Sequence, residues 1–302
     1  MRFTPARTRL RRAAKAVLIG IAATVFVGAV LTPTPAAARP GTDVYVALGD
    51  SYAAASGVLN QSAGLCTRSD RNYPSVVAAA LRPVTMRDMT CGGAVLKDLT
   101  EPQISQIGGI VINTPQIDAI GSDTTLVTLT IGGNDLGFAD IVGRCAALSV
   151  HDMYGAPCAA SFGSDLAERT VQLAPRVADT LRAIKTRAPG AQVLLVGYPA
   201  TLPDDDAGCL GDQLIAVGDV AFVRSTMYDF AAMLAAQAAA NGATYVDTYT
   251  PTIGHGICEP PAERWVEGLI PFQPAAPVHP NAAGERAMAA AVLTALGEVA
   301  PA

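Results

Sequence analysis

Short apolar runs alternate with longer amphipathic segments along most of this chain. The runs have the length of buried strands, and the longer segments repeat apolar residues at helical spacing. This alternation is typical of a parallel sheet flanked by helices. We therefore predict an α/β fold, a three-layer α/β/α sandwich with a mostly parallel central sheet. The predicted strands are 44–48, 125–131, 192–196 and 244–246, and the predicted helices are 73–81, 165–187, 218–240 and 281–296.

The first 38 residues have the composition of a secretory signal peptide. Residues 1–16 carry six basic side chains and no acidic one, and an apolar run follows from Val17 to Leu31. Ala36, Ala37 and Ala38 supply the small residues that precede a cleavage site. This run of 15 residues is too short for a bilayer core, which needs about 20 apolar residues. We predict a signal peptide at 1–38, a secreted protein and one domain at 39–302; an uncleaved N-terminal anchor is the alternative.

The net charge of the chain beyond residue 38 indicates which kinds of partner it can bind. Beyond residue 38 the sequence has 26 acidic and 15 basic residues, a net charge of −11. Such an acidic chain is poorly suited to nucleic acid or to an anionic membrane. No later segment has 18 consecutive apolar residues, so we expect no stable membrane insertion after the leader is removed. We also expect a monomer.

All six cysteines lie beyond the leader, and an even number in an exported chain indicates disulfides. Six cysteines allow 15 pairings. Their order along the chain favours pairs that each bracket a loop-rich stretch, with inserted loops at 55–72, 143–164 and 200–215. No close spacing of cysteine and histidine indicates a metal site, and we expect neither metal nor cofactor. The favoured pairs are Cys66–Cys91, Cys145–Cys158 and Cys209–Cys258.

Three short polar motifs adjoin predicted elements of the sheet. Gly49-Asp50-Ser51-Tyr52 follows the first strand, Gly132-Gly133-Asn134-Asp135 follows the second, and His279 precedes the last helix. Function in an open α/β sheet concentrates beyond the carboxyl ends of its strands. Each motif alone is a common turn. Together they offer a nucleophile, an amide donor and a base.

The motifs resemble the conserved blocks of the GDSL/SGNH hydrolases. The first block is similar to residues 46–52, the third to 131–135 and the fifth to 279–284, while the weaker second block is similar to 91–94. Further similarity at 254–258 and 264–266 points to a three-disulfide secreted actinobacterial branch of esterases, lipases and phospholipase A-type enzymes.

This resemblance implies a role for each motif residue. Ser51 would attack an ester carbonyl, and His279 would act as its base. The oxyanion would be held by the backbone N–H groups of Ser51 and Gly93 and by the side-chain amide of Asn134. The implied reaction is hydrolysis of a small or lipid ester through an acyl-enzyme, without a cofactor.

The chain departs from the family at one position. The family often has an aspartate three residues before the histidine, where this chain has Ala276. We expect a Ser51–His279 dyad whose imidazole is oriented by the backbone carbonyl of Ala276. The rival is a carboxylate from elsewhere, for which Asp247, at the end of a predicted strand, is the best candidate.

Other conspicuous residues have plainer interpretations. We expect Asp50 and Asp135 to stabilise turns, His255 to anchor a loop, and Trp265 to pack rather than bind substrate. Several functions stay open on the same fold: a carbohydrate deacetylase, a thioesterase, an acyltransferase, or an extracellular binding protein without catalysis. The acyl chain length of a substrate cannot be read from the sequence.

Overall fold

The computed structural model describes residues 43–105, 107–205 and 213–299. All of these residues belong to one structural unit. The predicted signal peptide at 1–38 lies outside the described residues, and so does Cys209. None of the described helices is long and apolar enough to cross a membrane.

A five-stranded parallel sheet forms the centre of the structure, and its spatial order is β2-β1-β5-β6-β7. The sheet strands are β1 Asp43–Gly49, β2 Val84–Asp88, β5 Thr124–Thr130, β6 Gln192–Val196 and β7 Thr244–Val246. A separate antiparallel hairpin consists of β3 Gln103–Ile104 and β4 Val111–Asn113.

Helices cover both faces of the sheet. They are α1 Ser51–Ala54, α2 Tyr73–Ala80, α3 Gly133–Leu136, α4 Phe138–Ser149, α5 Pro157–Phe162, α6 Asp165–Arg187, α7 Val220–Ala240 and α8 Ala282–Leu296. Side chains alternate between the faces of a strand. Val46 and Leu48 of β1 therefore pack in the core with α6 and α7, while Tyr45 and Ala47 pack in the core with α2 and α8. The predicted three-layer sandwich is confirmed.

Three regions differ from the predicted elements, and one of them is the β3–β4 hairpin. The edge strand β2 was not predicted because Thr85, Arg87 and Asp88 interrupt its apolar pattern. Part of the stretch 143–164, expected to be a loop, is helical, since it contains the end of α4 and all of α5. Both oxygens of the buried Asp219 carboxylate accept backbone N–H groups at the start of α5. Such a distant capping group leaves no local signal in the sequence.

The structure contains the Cys66–Cys91 and Cys145–Cys158 disulfides. Cys258 is also disulfide-bonded. Its predicted partner, Cys209, is outside the described residues, so the third pairing stays a prediction.

The strand order defines where a ligand can enter. Without the small hairpin, the sheet has the doubly wound order 2-1-3-4-5, whose direction of winding reverses between β1 and β5. The carboxyl ends of two such strands border the crevice in which open α/β sheets bind their ligands. Asp50 N donates to Thr130 O at 2.9 Å and ties these two ends together. The turns that carry Ser51 and Asn134 therefore flank one crevice.

Candidate active site

Ser51 occupies the first position of α1, directly after β1. Asp50 caps this helix, because its Oδ1 accepts a hydrogen bond from Tyr52 N at 3.0 Å. Gly49 has φ +145°, and a Cβ there would lie 2.4 Å from Thr130 O. A glycine is therefore required where the chain turns sharply from strand to helix. The turn leaves the Ser51 side chain at the edge of the sheet, where it lines a cavity.

The imidazole of His279 contacts Ser51 directly. Its Nε2 lies 2.7 Å from Ser51 Oγ, and its Nδ1 lies 2.7 Å from Pro277 O. A carbonyl oxygen can only accept, so Nδ1 carries the proton and Nε2 of the neutral ring faces the serine as an acceptor. Burial lowers the pKa of His279, and the bond to Pro277 O opposes this effect. The neutral, base-competent form is therefore favoured.

The orienting carbonyl belongs to Pro277 and not to Ala276, which corrects the prediction from the sequence. Ala276 O accepts a hydrogen bond from His279 N at 3.2 Å, closing a turn over residues 276–279. The turn thus uses the carbonyl of Ala276, while the carbonyl of Pro277 lies beside the ring.

The carboxylate of Asp247 forms its hydrogen bonds with the turn after β7 and not with His279. Its Oδ1 accepts from Tyr249 N at 2.9 Å and from Thr250 N at 3.1 Å, which anchors the turn after β7. The hydrogen-bond acceptor beside the imidazole is thus a neutral carbonyl, as the dyad hypothesis requires.

The loop that carries His279 is fixed from both sides. Val278 has φ +59°, a rare conformation for a β-branched residue. Its carbonyl accepts a hydrogen bond from Tyr52 Oη at 2.6 Å, which connects the loop to the helix of Ser51. The buried Glu267 donates its backbone N–H to His279 O at 2.9 Å, and its Oε1 accepts from Asn281 Nδ2 at 2.7 Å. Glu267 was not predicted, because it lies outside the motif and no local pattern marks it.

The loop of residues 91–94 lies beside the end of β1. Cys91 N donates to Gly49 O at 3.0 Å, and the buried Gln103 donates its Nε2 to Gly92 O at 2.8 Å. Gly93 has φ +75°, and the nearest atom to a Cβ there would be Gln103 Nε2, at 3.9 Å. The positive φ, rather than crowding, therefore favours glycine at this position.

The predicted oxyanion donors lie on the loops around the nucleophile. Asn134 Nδ2 donates to Ala94 O at 2.9 Å, and the second hydrogen of this amide stays available. Among the described residues, the backbone N–H groups of Ser51 and Gly93 have no acceptor. Three donors that could bind a negative oxygen are thus present on adjoining turns.

A buried network connects the turn of Ser51 to the turn of Asn134. Tyr198 Oη donates to Asp50 Oδ2 at 2.5 Å and accepts from Gly133 N at 2.9 Å. Burial raises the pKa of Asp50 to about 7, although the hydrogen bonds from Tyr198 and Tyr52 lower it. Asp50 therefore stabilises the turn and does not face an oxyanion. No local sequence pattern connects Tyr198 with this motif.

Asp135 also stabilises its surroundings. Its Oδ2 accepts from Leu96 N at 2.9 Å, and its Oδ1 pairs with Arg176 at 2.5 Å. These bonds join α3 to the segment after Ala94 and to α6, in agreement with the structural role predicted for this aspartate.

A cavity of about 230 Å³ opens at Ser51, Asn134 and His279. Its walls are almost entirely apolar, so it could take a hydrocarbon chain whose carbonyl lies at the serine. The main apolar contributors are Leu136, Phe138, Val142, Met227, Phe230 and Leu269.

His255 and Trp265 do not line this cavity. Their rings stack with centroids 3.5 Å apart, and His255 Nδ1 lies 2.8 Å from Glu263 O. This arrangement agrees with loop anchoring and packing. No group of three or more potential metal ligands occurs within residues 43–105, 107–205 and 213–299.

A serine bonded to a histidine at the crevice of a doubly wound sheet is the arrangement of a serine hydrolase. A sequence profile of the GDSL-like lipase/acylhydrolase family matches residues 47–287, and the chain belongs to this family.

Proteins similar to this chain are named as members of the same class, the ester hydrolases. The chain is 38% identical to lipase 2 of Streptomyces coelicolor, over 97% of this chain and 98% of that protein. It is 31% identical to a lipase of Streptomyces rimosus, over 80% and 82% of the two chains. The crystal structure of phospholipase A1 from Streptomyces albidoflavus NA297 is similar, with a TM-score of 0.69, 28% identity and coverage of 84% and 99%. An extracellular lipase from S. rimosus gives a TM-score of 0.68, with 28% identity and the same coverage. The protein is a carboxylic ester hydrolase.

Proposed function

We propose that Ser51 and His279 form a catalytic dyad that hydrolyses lipid acyl esters through an acyl-enzyme. The observation that carries this proposal is the 2.7 Å contact between Ser51 Oγ and His279 Nε2 at the mouth of an apolar cavity. The acyl chain would lie in the cavity, with its carbonyl carbon beside Oγ.

In the first half of the reaction, Oγ attacks the carbonyl carbon while Nε2 of His279 removes the hydroxyl proton. The tetrahedral intermediate then collapses, and the imidazolium gives this proton to the leaving alcohol. In the second half, the same ring removes a proton from water, whose oxygen attacks the acyl-serine. When this second tetrahedral intermediate collapses, the imidazolium returns the proton to Ser51 Oγ and the fatty acid is released. The fixed Nδ1–H bond to Pro277 O keeps Nε2 directed at Oγ throughout.

The developing oxyanion would be bound by Ser51 N–H, Gly93 N–H and the Asn134 amide. Loss of one such donor typically lowers kcat by about 10²–10³. A neutral carbonyl stabilises the imidazolium less than a carboxylate would, so these donors supply most of the electrostatic stabilisation in this scheme.

Several findings support an extracellular lipid substrate. The cavity is apolar, and the similar proteins are named lipases and a phospholipase A1. The disulfides suit an oxidising compartment, and we propose that residues 1–38 direct secretion. A third bond between Cys209 and Cys258 would complete the three-disulfide pattern, and the monomeric state stays a prediction.

The dyad is tested with Ser51→Ala, His279→Ala and the double variant. Each change removes half of one proton-transfer unit, so each should lower kcat on a p-nitrophenyl ester by about 10³ or more, with little further loss in the double variant. Ser75→Ala, in α2 and outside the cavity lining, is the matched control.

Labelling by a fluorophosphonate provides an independent readout, because the probe should modify Ser51 in the wild type and no residue in the Ser51→Ala protein. A folded Ser51→Ala enzyme that keeps tenths of wild-type turnover would show that the nucleophile is a different residue. Absence of any labelling or ester turnover in the wild type would favour a binding protein.

A further inference from the structure

The β3–β4 hairpin exposes four large apolar residues to solvent over more than half of their surface. The side chain of Ile107 is 87% exposed, and those of Ile110 and Val111 are 58% and 56% exposed. Ile104 lies directly opposite Val111 in the hairpin register, so both point to one face. The residues Ile104, Ile107, Ile110 and Val111 are called the hairpin patch below.

The sequence of this hairpin differs from that of an ordinary solvent-exposed strand pair. Alternation places Gln103 on the buried side and isoleucine on the outer side, the reverse of the polar-outward pattern expected of an exposed face. No charged residue occurs from Pro102 to Ile117. Exposed edge strands are usually blunted by charges, because an apolar edge in water promotes association. The hairpin patch is therefore more typical of a surface that contacts another molecule than of one exposed to water.

The patch is connected to the active site through two residues of the hairpin. Gln103 donates to Gly92 O, next to the predicted oxyanion donor Gly93, and Asn113 Nδ2 donates to Met89 O at 2.9 Å. Ile107 is four residues beyond Gln103, so it lies at most about 14 Å away along an extended chain. The base of the hairpin therefore adjoins the loop that carries Gly93.

The loop that carries His279 has similar exposed groups. Leu269 lines the cavity. The next residue, Ile270, is 78% exposed, and Phe272 is 67% exposed. Apolar side chains are thus exposed on the hairpin that adjoins the Gly93 loop and on the loop that carries His279.

We propose that the hairpin patch docks the enzyme on an uncharged or zwitterionic lipid surface, an inference that rests on the proposed lipid substrate. Apolar side chains bind a lipid surface more strongly as the apolar area that they bury in it increases. The acidic net charge of the chain, −5 over its full length, disfavours an anionic surface. Charge therefore selects phosphatidylcholine or neutral glycerides over acidic lipids.

The experiment measures co-sedimentation with phosphatidylcholine vesicles. It uses the protein purified in its secreted form, without the predicted leader, and with the Ser51→Ala change so that the lipid is not consumed. Ile107→Ser/Ile110→Ser should lower the partition coefficient by about tenfold or more, because removal of one isoleucine side chain from water is worth about that factor. Val171→Ser, a change at an exposed residue of α6, is the matched control and should bind as the parent does. Replacing part of the lipid with phosphatidylserine should weaken binding of the parent.

The same hairpin change in the active enzyme should leave kcat/KM on a soluble p-nitrophenyl ester within about twofold of wild type. Unchanged vesicle binding by the hairpin variant overturns the proposal, and so does an equal loss in Val171→Ser. A wild-type dimer that the hairpin change converts to monomer, seen by sedimentation velocity, would assign the patch to a second copy and would also overturn it. Failure of the wild type on every soluble ester would instead defeat the proposed function.

Discussion

The turn over residues 276–279 places His279 by means of an unusual backbone conformation. A residue other than glycine in the left-handed region costs about 1–3 kcal/mol and persists only where its surroundings enforce it. The left-handed conformation of Val278 is stabilised by the hydrogen bond from Tyr52 Oη to its carbonyl. Gly57 contributes from the other side, because a Cβ there would lie 2.3 Å from Ala276 N. The position of the base thus depends on groups far away in the sequence.

The pKa of His279 predicts the pH dependence of the reaction. Burial lowers this pKa from its ordinary value of 6.5, and a base must be neutral to accept a proton. We therefore expect the acid limb of kcat/KM on a soluble ester to lie below pH 6.5. The carboxyl of Asp50, whose pKa burial raises to about 7, titrates in a nearby range. In the Asp50→Asn variant this carboxyl is absent, so the remaining limb reports the titration of His279 alone. The rate of fluorophosphonate labelling should follow the same limb.

A limb above pH 6.5 that persists in Asp50→Asn would contradict this expectation. It would indicate that a carboxylate pairs with the imidazole in solution and raises its pKa.

The motif residues could be predicted from the sequence, but their supports could not. Ser51, Asn134 and His279 stand in short patterns next to clear strands or a helix. Tyr198 and Glu267 act through contacts that appear only when the chain is folded, over separations of 148 residues to Asp50 and 14 to Asn281. The orienting carbonyl was misplaced by one residue because the positive φ of Val278 leaves no mark in the sequence.

At the scale of elements, predictability follows the strength of the apolar pattern. The strands β6 and β7 and the helix α6 have the bounds that their periodicity predicted. The helix α6 is long and amphipathic, β6 is strongly apolar, and the short β7 follows Asn241-Gly242, which marks the end of the preceding helix. The hairpin was missed because its outer residues are apolar without a core behind them, and α5 was missed because a distant carboxylate caps it.

The two described disulfides should differ in their effect on catalysis. Cys66–Cys91 spans 25 residues and Cys145–Cys158 spans 13, so loss of either should cost about 3 kcal/mol of stability by the chain-entropy argument. Cys91 leads directly into the loop of Gly93. We therefore expect Cys66→Ser/Cys91→Ser to lower kcat on a short soluble ester, and Cys145→Ser/Cys158→Ser to leave it near wild type.

Denaturant unfolding and kcat, measured on both variants, check this prediction. Equal losses of kcat would show that the Gly93 loop does not depend on its disulfide.

At the scale of the whole molecule, buried carboxyl groups relate stability to pH. Burial raises the pKa of Asp50 from 3.8 to about 7 and that of Glu285 well above its ordinary value. An acid with a raised pKa in the folded state binds its proton more tightly there. Its stabilising contribution is complete below the unfolded pKa and is lost as pH rises through the folded one.

We therefore expect the difference in unfolding free energy between wild type and Asp50→Asn to fall between about pH 4 and 7 and to level off above. Denaturant titrations across this range measure it. Ser75→Ala in α2, which changes no titrating group, is the control and should differ from wild type by a constant amount. A constant difference for Asp50→Asn as well would mean that Asp50 is not protonated on folding.

The bond between Ser51 and His279 joins positions 228 residues apart. A polypeptide that emerges from the ribosome thus carries Ser51 long before His279 is synthesised. Only when α8 has docked on α2 does the loop before it bring the imidazole to the serine. The pair of Ser51 and His279 is therefore incomplete in a nascent chain, which cannot yet hydrolyse an ester by this route. Recovery of ester hydrolysis during refolding should therefore report the docking of α8 on α2 and not the formation of either helix alone.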